Sequence, residues 1–124
     1  MADGFVEPLS FSRREQMSEQ VLLIISTFPD AEIAREVVTQ LVSENLAACV
    51  NIIPIIESIY RWEGKIENAK EAVVFCKTTR ARYPAFQDRL QALHPYEVPE
   101  IICLDVVNGL PDYLSWVAQN TAQK

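Results

Sequence analysis

His94 is the only histidine in the chain, and it opens the segment His94-Pro95-Tyr96-Glu97, with Glu100 close behind. An imidazole beside carboxylates and a phenol suits metal ligation or proton transfer near neutral pH. The structural alternative is a ring at a helix C-terminus, hydrogen-bonded to a carbonyl and favoured there by the helix dipole. Three thiols, Cys49, Cys76 and Cys103, lie inside apolar strand-like runs, and no C-x-x-C occurs. Such thiols read as small apolar packing groups, with Cys49 at a subunit boundary as the functional alternative. Lys77 stands between Cys76 and Thr78. It either snorkels to water or closes a polar pocket with Glu100. Trp62 and Trp116 read as interface or core anchors, with ligand stacking as the alternative, and Tyr60, Tyr96 and Tyr113 carry polar tips suited to a cleft. The candidate ligand-contacting set is therefore Cys49, Lys77, Tyr96, Glu100 and Trp116, and the candidate metal ligand is His94. One histidine, no G-x-S-x-G and only three glycines leave no nucleophile–base relay and no phosphate-cradling loop. The expectation is a protein that is not an enzyme.

The elements that must position these groups are legible from pattern. At 124 residues and 49% hydrophobic content the chain can bury one real core. A net charge of −6 with scattered Lys and Arg argues against nucleic acid as a partner. No apolar run approaches the roughly 18 residues of a membrane span. The odd cysteine count points to reduced thiols and a cytoplasmic location. Residues 1–18 read as a poorly ordered polar leader, and residues 19–124 as a single domain. Gln20 to Thr27 is a continuous apolar run, as in a strand covered on both faces. Pro29-Asp30 opens a helix whose stripe is Ile33, Val37 and Leu41. Tyr83, Phe86, Leu90 and Leu93 mark a second helix, stopped at His94-Pro95. Glu100 to Val107 reads as a strand, and Gly109 and Pro111 introduce a last helix. The order β-α-β-β-α-β-α, with two similar halves, predicts an α+β fold: a ferredoxin-like split βαβ sandwich with a C-terminal helix.

Between the halves, Ala47 to Arg61 and Lys65 to Lys77 form one long hairpin around Glu63-Gly64. A strand of about 14 residues spans about 45 Å, whereas a domain of this size is only about 35 Å across. The tip overhangs its own globule while carrying Ile59, Tyr60, Trp62 and Ile66, so it needs a cover, most economically another copy of the chain. Pro54 predicts a bulge or an edge-facing position in the first hairpin strand. A two-residue turn with unbroken pairing puts Cys76 opposite Asn51 and Cys49 opposite Thr78.

The blocks LVSENLAACVNIIP, SIYRWEGKIE, Lys77-Thr78-Thr79, HPYEVPEI and YLSW, in that order between Val21 and Ala118, resemble the CutA divalent-cation tolerance family. The resemblance implies a homotrimer of ferredoxin-like subunits, similar to the PII signalling proteins, with long hairpins pairing between subunits. It also implies a response to copper or other divalent cations. Copper binding in bacterial members is attributed to a cysteine ending the first strand and to two adjacent histidines before Pro-Tyr. Here those positions hold Ser26, Leu93 and His94, so one of three ligands survives. The alternative within the same architecture is a small-molecule or protein sensor using a cleft between subunits.

Overall fold

The computed structural model describes residues 19–123. The expected leader, residues 1–18, lies outside the described residues. The chain runs β1 (Val21–Phe28), α1 (Ala31–Ser43), β2 (Cys49–Trp62), β3 (Lys65–Thr79), α2 (Tyr83–Leu93), β4 (Ile102–Asp105) and α3 (Pro111–Thr121). The strands form one sheet in the order β2-β3-β1-β4, antiparallel throughout, which is the split βαβ arrangement expected.

Local chemistry sets the ends of the elements. Asp30 caps α1 by accepting from the Ile33 N–H at 2.8 Å. The helix closes with Asn45 at φ 60° and bonds from Leu46 N to Leu41 O and Asn45 N to Val42 O, the αL stop that asparagine tolerates. Pro84 stands in the first turn of α2, where its missing N–H costs nothing. The α1 and α2 side of the sheet holds the core: Leu22, Ile24, Phe28, Val74 and Cys76 pack with Val38, Leu41, Phe86 and Leu90.

Alternation sends Leu23, Ile25, Phe75, Ile102 and Leu104 to the opposite side of the sheet. There α3 packs against β3 and β1 and buries Val117 and Thr121. Ile102 and Leu104 remain 48% and 45% exposed.

The hairpin differs from expectation in register. Residues Ile56 to Trp62 pair with Glu71 to Lys65 as a two-residue turn requires, but a bulge between Ile53 and Ile56 shifts everything nearer the body by one place. Cys49 therefore faces Lys77, not Thr78, and Cys76 faces Val50, not Asn51. The bulge falls at Pro54, as predicted. An extra residue there leaves two residues opposite one on β3. The last β1 pairing on β3 is Phe28 with Ala72. From Glu71 outward the hairpin is a two-stranded ribbon. At about 3.3 Å per residue its seven pairs from Ile56 to Trp62 reach about 23 Å beyond the body. Strand β4 is also shorter than the expected Glu100–Val107. Pro99 lacks an N–H, and the Arg80–Asp105 ion pair sits at the far end.

Candidate functional site

The candidate residues fall into two corners. The first is built on His94. Its backbone N–H caps α2 on Leu90 O at 2.9 Å, and its extended conformation (φ −72°, ψ 137°) turns the chain out of the helix, as a residue before proline must. The ring stacks on Phe28 with centroids 4.3 Å apart and is only 7% exposed. The Tyr96 backbone N–H donates to Nδ1 at 3.1 Å, and Nε2 lies 2.8 Å from the Thr27 carbonyl oxygen. One tautomer makes both bonds: a neutral ring with its proton on Nε2. Burial pushes the imidazole pKa down, partly opposed by the Thr27 carbonyl and the Glu71 carboxylate. The Tyr96 ring leans on His94 at 5.0 Å, and its hydroxyl donates to Glu71 Oε2 at 2.6 Å. Burial first, and then this carboxylate, raise the Tyr96 phenol pKa, so it stays a donor.

The second corner is built on Lys77, which cross-strand pairing sets beside Cys49. Its ammonium donates to the Asn51 side-chain oxygen and lies 3.8 Å from Cys49 Sγ. Tyr113 of α3 reaches the same place. Its phenol pKa is raised by burial and then by Cys49. Trp116 stacks on Tyr113 at 5.8 Å. Lys77 is thus held by Asn51 and Cys49 rather than by Glu100, which is exposed on the segment before β4. Lys77 lies six residue steps along β3 from Glu71, which is about 20 Å along a strand. Tyr96 and His94 therefore do not share a site with Cys49, Lys77 and Trp116 within one chain.

Glu71 and Asn51 are partners that sequence reasoning passed over, whereas Tyr113 is singled out there for its polar tip but not tied to Cys49 and Lys77. Glu71 reads as one more solvated strand carboxylate. The available signal is its β3 parity with Lys77, at the point where the apolar run begins. A groove of about 400 Å³ lies elsewhere, between α1 and β2, lined by Arg35, Val38, Thr39, Val42, Ser43, Val50 and Ile52. It holds none of the candidate residues.

The donors do not fit a copper or zinc centre within one chain. Such a centre needs several thiolates, imidazoles or carboxylates converging, and among the described residues no three His, Cys, Asp or Glu side chains do so. Ser26 is fully buried on the core side, with no hydrogen-bond partner for its hydroxyl among the described residues. Leu93 packs against the core. Cys76 is fully buried, and burial holds its thiol up at about 12, so it is no thiolate at neutral pH.

A family model described as "CutA1 divalent ion tolerance protein" matches residues 22–120. The divalent-cation tolerance protein CutA of Thermus thermophilus is 47% identical over 103 residues, covering 83% of this chain and 98% of that protein. The human protein CutA is 42% identical over 114 residues, covering 92% of this chain but 64% of the longer human protein. The crystal structure of CutA from Xylella fastidiosa superposes with a TM-score of 0.81 at 45% identity, covering 83% of this chain and 99% of that one. Sequence blocks, topology and superposition agree that the chain belongs to the CutA1 divalent ion tolerance family.

Proposed function

We propose that the chain serves divalent-cation tolerance as a non-enzymatic homotrimer, with cation contacts assembled across subunits. The observation that carries this reading is the uncovered side of the sheet. Leu23, Ile25, Phe75, Ile102 and Leu104 form an apolar face, and the ribbon beyond it exposes Ile59 at 69% and Trp62 at 63%. Burying such a face against copies of itself is favourable at about 25 cal/mol per Å² of apolar area. Assembly would also bring together corners that one chain keeps apart. Cys49, Lys77 and Trp116 of one copy would then approach side chains of another, with Glu100 and Tyr96 as candidates.

Copper is the finer form of the cation reading, drawn from the family resemblance, with Cys49 as the partly exposed soft ligand. Three free cysteines support a reducing, cytoplasmic setting. The small-molecule sensor reading uses the same Lys77 corner and yields to the family's association with divalent cations. Sedimentation equilibrium at micromolar protein tests the assembly. Competition titration with Cu(I), Cu(II) and Zn(II) on the same sample tests the cation contacts. A stable monomer would remove the shared site and this reading with it.

A further inference from the structure

We infer that His94 anchors a latch that fixes the root of the long hairpin, and that this duty excludes it from metal ligation. The latch runs from the Thr27 carbonyl through the His94 ring to the Tyr96 backbone N–H, and from the Tyr96 hydroxyl to Glu71. Its far end is placed where the hairpin loses support. Ala72 is the last β3 residue paired with β1, and Glu71, the next one outward, pairs with Ile56 at the edge of the bulge. There β3 gives up a neighbouring strand on one side, and the Tyr96 phenol supplies a contact in its place. Pro95 and Pro99 bracket the connecting segment and restrict its backbone. The direction in which the ribbon leaves the body is therefore set by a buried imidazole.

Metal and latch compete for the same two ring nitrogens. Coordination through Nδ1 strands the Tyr96 N–H in a buried place. Coordination through Nε2 requires its proton to move to Nδ1, so the Thr27 carbonyl loses its donor and the Tyr96 N–H faces another N–H instead of an acceptor. Either way the buried groups lose partners, and the Phe28 stack leaves the ring no room to swing out without opening the core.

The test has two arms, both on the full chain. The single histidine makes the first unambiguous: long-range nitrogen–proton NMR of the imidazole, with and without Zn(II) or Cu(I). The expected result is the neutral Nε2–H pattern, unchanged by either ion. A metal-induced shift of either ring nitrogen overturns the exclusion. The second arm is hydrogen exchange in Tyr96→Phe, which removes only the hydroxyl and keeps His94 intact. Amides of residues 55–57 and 69–72 should exchange about tenfold faster, as expected for losing one hydrogen bond to a charged group, while those of residues 22–26 stay unchanged. Equal exchange at the root in both proteins overturns the latch. Sedimentation of the same samples reports assembly separately, so failure of the trimer reading is distinguishable from failure of the latch.

Discussion

A neutral imidazole with both nitrogens engaged gives His94 a defined pH signature. Its folded pKa lies below the ordinary histidine value because burial disfavours the cation. The unfolded chain therefore takes up the proton first as pH falls. The stabilisation from the neutral ring is complete above the unfolded value of about 6.5. It declines as pH drops from there toward the folded value, and levels off below it. Thermal melts followed by circular dichroism should show a melting temperature flat from pH 8 to 7 that begins to fall as pH drops below about 6.5. His94→Gln, which offers an amide donor and acceptor without titrating, should flatten that decline. Cys76 makes a second residue-scale prediction. Its thiol is fully buried and its pKa is pushed up to about 12, so thiol reagents at pH 8 should modify it only through unfolding, on the timescale of the unfolding rate. Cys76→Ser places a hydroxyl among Ile24, Val50 and Val74 and should cost about 1–3 kcal/mol in urea unfolding. Fast labelling of Cys76 in the native protein would mean that the core side of the sheet opens locally.

At the scale of elements, the hairpin is both what patterning reads best and what it misplaces. Glu63-Gly64 is read as the turn, and both residues have positive φ, 48° and 79°, as the favoured two-residue hairpin turn requires. Gly64→Ala meets no steric obstacle, since nothing lies within 4 Å of an added Cβ. Its cost is therefore that of the left-handed conformation alone, about 1–2 kcal/mol by denaturant titration. Pro54 likewise locates the bulge. What pattern cannot supply is the bulge's effect on counting, because one extra residue on β2 changes every partner nearer the body. That shift puts Lys77 against Cys49, so the error in register and the missed Lys77–Cys49–Asn51 corner have one physical cause. The His94 corner was hidden for another reason. Its parts come from β1, the segment after α2, and β3, and only tertiary packing brings Thr27 and Tyr96 to the His94 ring and Glu71 to the Tyr96 hydroxyl. Periodicity places each of them on its own element and is silent about their convergence. Fold class and helix stripes, by contrast, follow from element order and local periodicity and are legible residue by residue, down to the opening of α1 at Pro29-Asp30.

At the scale of the molecule, the sheet is finished on one side only. The α1 and α2 side is closed by Phe28, Phe86 and Leu90, each fully buried, whereas the other side ends in Leu104 and Ile102 with about half their surface in water. Among the described residues both sheet edges are open as well, since β2 and β4 have a hydrogen-bonded neighbour on one side only. An open edge beside an apolar face favours association, and a closed ring of copies satisfies edge and face together. On the trimer proposed above, sedimentation equilibrium should return about three times the 14.1 kDa chain mass. Because the buried surface is apolar, the value should hold when salt is raised to 1 M, where exposed ion pairs are screened within about 3 Å. The double variant Ile102→Lys, Leu104→Lys adds two charges to the face while leaving Cys103, on the core side of β4, in place. It should sediment as a monomer while keeping the Nε2–H signature of His94, because the His94 corner is built entirely within one chain. Loss of that signature along with the assembly would show that neighbouring copies, and not the Thr27 and Tyr96 contacts alone, hold the ring.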